Sequence, residues 1–213
     1  MATLKHGING PFSGKVGSVV GSSWRGIPYI KGKQRIKGTK PKPTHKQASQ
    51  HRKFVLLNRF LRNFPKLLEI GFGAYTRKAT AMNVAFSYNY DQAFVERADE
   101  LVLNYPVLQF SRGSLYTAGA EKAYVENDGI QVRWNPRTFG VGGAMDDLAC
   151  VIVFSHSKQI HWNAAAYRSQ GGVFVDWGME IDVNDLHVWL FFSDASGKRA
   201  SKTVYLPLVA AAT

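Results

Sequence analysis

Cysteine is almost absent from this chain. Cys150 stands alone among 213 residues, which excludes an internal disulfide framework and a multi-cysteine zinc site. No stretch approaches the roughly 18 apolar residues that a membrane-spanning helix requires. The opening MATLKHGINGPFSGK lacks the continuous apolar core of a signal peptide. The expectation is therefore no membrane and a protein that stays in the cytoplasm, or within a particle assembled there. The most informative absence is of acid. No Asp or Glu precedes Glu69, while residues 1–66 carry 15 Lys and Arg. The other 147 residues carry 12 basic and 15 acidic side chains, so the whole net charge of +12 comes from the first third. Solubility is served by mixed signs. A segment without acids points instead to an acidic partner.

What is present is enough for a core: 45% of residues are hydrophobic and 13% aromatic, which excludes wholesale disorder. The expected fold class is α+β: a basic N-terminal β-hairpin arm and a helical segment, followed by an antiparallel β-sandwich of the fibronectin-III or immunoglobulin kind. The expected boundaries are 1–43 for the arm and linker, 44–100 for the helical segment and 101–213 for the sandwich.

Residues 1–43 are glycine-rich. KVGSVV and IPYIKGK read as strands joined by a turn at Arg25-Gly26. An isolated hairpin is marginal in water, so it needs the rest of the protein, a second copy or a nucleic acid to lie against. Residues 36–46, IKGTKPKPTHK, read as an extended linker, because Pro41 and Pro43 disfavour helix before them. Thr44 and Gln47 fit a capping box that starts a helix over about 45–63, ending before Pro65. Its apolar stripe would be Ala48, Phe54, Leu57, Leu61 and Phe64. A second helical stretch is expected in 66–98, with Leu67, Ile70, Ala74, Met82 and Phe86 inward. Short β-rich segments follow at 105–111, 121–126, 129–135, 148–156, 172–177, 186–193 and 202–208. Turns are expected at Asn127-Asp128-Gly129 and at Asp194–Gly197, and Trp134 fits a buried strand position.

At GPFSGKVGSVVGSSWRGIPYIKGKQR, residues 10–35, the chain resembles an uncharacterised domain family abundant in Bacteroidetes. Arg52-Lys53-Phe54 and the stretch Asn83–Asn89 are similar to that family as well. The resemblance implies no established activity. The glycine-rich start and basic linker are also similar to small proteins of phage-like gene neighbourhoods, by analogy only.

Motifs for chemistry fail on inspection. Gly10–Lys15 is similar to a phosphate-binding loop, but Asn9 stands where its first glycine belongs and Val16 where Ser or Thr would hold magnesium. Cys150 lies in the apolar run ACVIVF and reads as a buried structural thiol. His156 and His161 flank an expected turn without a third ligand, and Asp146-Asp147 reads as a solvated loop. The expectation is a non-enzymatic protein with no cofactor, no metal and no small-molecule substrate. Its candidate residues are Lys15, Arg25, Lys31, Lys33, Arg35, Lys37, Lys40, Lys42, Lys46, Arg52, Lys53, Arg59 and Arg62. These would bind nucleic acid or a neighbouring subunit in a homo-oligomer or larger assembly. Trp24 and Tyr29, interleaved with cations, would stack on unpaired bases or anchor the hairpin by packing.

Overall fold

A computed structural model of the chain describes residues 2–3, 10–33, 42–77, 79–97, 100–117, 119–126, 128–138 and 141–210. Two compact units divide it, Met1–Thr44 and His45–Thr213. Together they are mixed α+β, with three α-helices and mainly antiparallel strands among the described residues.

The first unit is one sheet of four strands, β1 (Ala2–Thr3), β2 (Gly14–Val16), β3 (Val19–Trp24) and β4 (Ile27–Gly32), in the order β1-β4-β3-β2. Strands β3 and β4 form the expected hairpin. Arg25 and Gly26 both have positive φ, 50° and 79°, which makes a type I′ turn matched to strand twist. KVGSVV is not one strand: it folds back at Gly17–Ser18, and Gly17 supplies the positive φ of 55° there. Gly21 has a different task. The backbone and ring of Phe12 lie so close that a Cβ at Gly21 would sit 2.3 Å from the Phe12 carbonyl oxygen. Phe12 thus caps one face of the sheet, and only glycine leaves room for it.

The second unit opens with three helices, α1 (His45–Leu61), α2 (Pro65–Phe72) and α3 (Ala81–Asn89). Pro65 starts α2, where its missing N–H is harmless. Thr80 caps α3 by accepting a hydrogen bond from Asn83 N at 3.2 Å. A hairpin follows, β5 (Phe94–Arg97) with β6 (Glu100–Leu103), so the expected helix to residue 98 stops at Asn89. The remaining strands are β7 (Lys122–Glu126), β8 (Gly129–Arg133), β9 (Leu148–Ser155), β10 (Ile160–Tyr167), β11 (Gly172–Asp176), β12 (Leu186–Ser193), β13 (Val204–Leu206) and β14 (Leu208–Ala210). They make two four-stranded sheets, β10-β9-β12-β13 and β11-β8-β7-β14, in which β14 joins β7 in parallel.

The alternation along β9 and β12 explains the layering. Cys150, Ile152, Phe154, Trp189 and Phe191 point to one side, where they meet Leu57, Phe60, Leu61, Phe64, Leu68 and Phe72 of the helical segment. Ala149, Val151, Val153, Val188, Leu190 and Phe192 point to the other, where they meet Ala123, Ile130, Val132 and Val175 of the second sheet. The β10-β9-β12-β13 sheet is thus the middle of three layers; its central strands β9 and β12 are buried on both faces and read as near-continuous apolar runs for that reason, while Asn163, Ala165 and Tyr167 of β10 are exposed. Aromatic rings fill the helical side, with Phe60 5.1 Å from Phe154 and Phe110 5.1 Å from Trp189.

Three expectations are corrected. Residues 105–111 are not a strand; Tyr105–Val107 is a 3-10 turn containing Pro106. Residues 160–167, absent from the expected strands, follow the expected turn as a full strand paired with β9. Phe54 is half exposed, its ring 5.0 Å from Phe86, while Phe60 takes the buried position. The Asn127 turn position and most of the 36–46 linker lie outside the described residues.

Candidate polyanion-binding face

Register decides which cations meet in the first unit. Across β2, β3 and β4 the partners are Lys15↔Val20↔Lys31, then Ser22↔Tyr29, then Trp24↔Ile27. Directly paired residues share a face, as do residues two apart along a strand. Lys15, Lys31, Tyr29 and Trp24 therefore stand on the same face, opposite the one that Phe12 caps. Lys15 and Lys31 are exposed, Trp24 is 47% exposed and Tyr29 is half-buried. The Arg25 guanidinium carbon lies 5.8 Å from the centre of the Trp24 ring. Lys33, one residue past β4, is exposed, and its N–H donates to Ser18 O at 2.7 Å. The face carries no carboxylate, because the segment contains none.

The other candidates divide into two groups. Arg35, Lys37 and Lys40 lie outside the described residues. Lys42 and Lys46 are exposed just before and within the start of α1. Arg52, Arg59 and Arg62 are exposed on the outer side of α1 and its end, and Lys53 leans its ammonium over the Phe94 ring at 5.6 Å. Arg52, Val55, Leu56 and Arg59 form one wall of a groove of about 470 Å³ whose other wall is Glu100 and Leu101. Leu56, Arg59 and Leu101 continue it into a second hollow of about 270 Å³ that ends at Tyr105, His156 and Gln159.

Several polar features were not legible in the sequence. Asp147 does not sit in a solvated loop. It is buried and paired with Arg168, Nε to Oδ2 at 3.1 Å, and also accepts Ala144 N at 2.9 Å. Arg168 Nη2 donates to Tyr116 O at 2.7 Å, its guanidinium lies 3.8 Å over Phe192, and its backbone carbonyl accepts Trp134 Nε1 at 2.9 Å. At one end of the middle sheet, Tyr105 Oη and His156 Nδ1 share a hydrogen bond at 2.7 Å, and His187 Nδ1 pairs with Tyr205 Oη at 3.0 Å. Burial pushes Tyr105 up to about 12, with nearby Asp185 adding to the effect. Burial also lowers His187 to about 4, against the pull of Asp185 and with the help of His156 and Arg97. Asp185 is held below its ordinary value: burial opposes this but is outweighed by hydrogen bonds from Ser157 and Ser155 and by His156. Cys150 is pushed up to about 12 by burial, as an inert core thiol would be. Among the described residues no three His, Cys, Asp or Glu side chains form a group that could hold a metal ion. On the outer sheet, Glu126, Asp128, Asp176 and Glu180 surround an acidic cleft of about 820 Å³.

The architecture defines a two-unit α+β protein, with a small basic sheet joined to a three-layer body. The chain belongs to the family of unknown function DUF6266, whose model matches residues 11–207. No curated protein and no solved structure matches it. Among the described residues no helix is long and apolar enough to cross a membrane.

Proposed function

We propose that the protein is a non-enzymatic, nucleic-acid-binding component of a larger assembly, and that the exposed face of its N-terminal sheet grips a single strand. One observation carries the reading: Lys15 and Lys31 share a face with Trp24 and Tyr29, and Arg25 lies against Trp24. Cations neutralise phosphates, while exposed rings stack on unpaired bases of any sequence. The rows of this face are about 7 Å apart along the strands, so charge and ring alternate within the reach of successive nucleotides. The turns at Gly17 and Gly26 leave open space beside the backbone, which lets a strand approach closely there. Cations that meet phosphates and rings that stack on any base carry no sequence information, so binding is expected to be largely independent of sequence.

The body is read as a fibronectin-III-like sandwich. Support comes from strand order: taking β7 as the first strand, the first, second and fifth lie together, while the fourth, third, sixth and seventh form the facing sheet. Such a body suits a subunit of a phage-like or other particle assembled in the cytoplasm.

Binding of a labelled oligonucleotide, followed by fluorescence anisotropy, tests the reading. Trp24→Ala should weaken single-strand binding by about 1–3 kcal/mol, roughly 5- to 150-fold. Lys15→Glu with Lys31→Glu should weaken it further and flatten its dependence on salt. If neither variant changes the affinity, the face is not the binding surface.

A further inference from the structure

The α1–β6 groove and the loop that follows β11 are complementary, and neither includes a residue of the N-terminal face. The apolar part of the groove lining is Val55, 47% exposed, with Leu56 and Leu101. Arg52 and Arg59 stand on its rim, and among the described residues no carboxylate lies within 4.0 Å of either guanidinium. Glu100 lines the same groove but forms no ion pair there.

The loop has the opposite character. Met179 is 44% exposed and lies between the exposed carboxylates of Asp176, Glu180 and Asp182. Its shape is set by the chain itself. Trp177 is buried at its base, Gly178 has φ of +58°, and Gly178 N donates to Asp176 Oδ1 at 2.8 Å. Lys158 Nζ donates to the Glu180 carbonyl at 2.5 Å, and the Glu180 carboxylate forms no ion pair among the described residues. Met179, which with Asp176 and Glu180 lines the acidic cleft of the outer sheet, is thus an exposed apolar side chain among acids on a hydrogen-bonded loop.

Both features lie at one end of the body, on either side of the turn between β9 and β10. His156 and Gln159 of that turn close the groove, and Lys158 touches the loop. A two-fold contact centred on this turn seats each copy's loop in the other copy's groove at once, which is the self-complementary pattern of a closed dimer. We infer that the body forms a two-fold homodimer in which Met179 enters the apolar groove of the second copy, with Glu180 and Asp176 meeting its Arg59 and Arg52. Charge sets the pairing and desolvation of Met179, Val55 and Leu101 holds it.

The test is sedimentation velocity on the nuclease-treated full chain, at ~50 mM and ~500 mM salt. The expected result is a dimer that weakens as salt rises. Arg59→Glu and Glu180→Arg, both at exposed positions, should each raise the dissociation constant about tenfold or more with an unchanged circular-dichroism melt. An equimolar mixture of the two variants, or the double variant, should regain most of the wild-type affinity. A monomer at all concentrations, association that nuclease abolishes, single variants without effect, or losses that the pairing fails to rescue would each overturn the inference. Oligonucleotide binding by the same variants reports on the N-terminal face separately, so failure of one reading is distinguishable from failure of the other.

Discussion

Replacing Asp147 by alanine asks whether the body depends on a pair of charges buried in its second layer. The side chains of Arg168 and Asp147 are 0% and 2% exposed, and they meet at 3.1 Å. Without the carboxylate, the guanidinium keeps one hydrogen bond, to Tyr116 O, and the face of Phe192, while Nη1 already has no partner. A buried charge stripped of its partner costs about 3–5 kcal/mol. Ala144 N loses its acceptor as well, which adds about 1 kcal/mol at most in a half-buried loop. In a chain of this size each kcal/mol moves the melting point by about 2–4 °C, so Asp147→Ala should lower Tm by roughly 6–24 °C. Arg168→Met combined with Asp147→Ala removes both charges and should be clearly more stable than Asp147→Ala alone. Urea denaturation followed by tryptophan fluorescence measures both variants against the wild type, with an unchanged slope showing that the unfolded state is the same. A loss below about 1 kcal/mol for Asp147→Ala, or a double variant no better than the single, would refute the reasoning.

Two further perturbations probe packing and protonation. Gly71→Ala would ordinarily strengthen a helix by about 1 kcal/mol, but here its Cβ would lie 2.1 Å from Phe110 O, so a net loss of about 1–3 kcal/mol is expected in thermal melts. His187 takes up a proton only near pH 4 in the folded protein, against 6.5 when unfolded. The unfolded chain therefore binds more protons between these values, and stability should fall as pH drops from about 6.5 to about 4, then level off for this group. Full desolvation would make the loss about 3 kcal/mol; for a half-buried ring roughly half of that is expected. His187→Gln should flatten this part of the stability profile, and an unchanged profile would mean that the ring is not the titrating group.

The sequence revealed some of this and concealed the rest for identifiable reasons. β9 and β12 were legible because burial on both faces makes them unbroken apolar runs. β10 was not: IHWNAAAY is poor in β-branched residues, and its pairing is set by β9 and not by its own propensity. Residues 105–111 look like a strand by apolar content, but Pro106 and the 3-10 turn divert them. The hairpin at 94–103 was lost inside a helical periodicity that ends at Asn89. In the N-terminal unit, charge and the Arg25-Gly26 turn were visible in the residues themselves. Which side chains share a face was not, because a turn at Gly17–Ser18 shifts the parity of everything before it. Arg168 and Asp147 are 21 residues apart, and nothing local marks either as buried.

The central claim is that the N-terminal face holds a single-stranded polyanion. Its most direct test is the salt dependence of binding to an unstructured oligonucleotide, measured on the wild-type chain. Four cations at this face, Lys15, Arg25, Lys31 and Lys33, would give a slope of log K against log salt of about −3. A slope near that value, reduced by Lys31→Glu, is the predicted result. Absence of binding at ~50 mM salt, where phosphate neutralisation is strongest, would contradict the account.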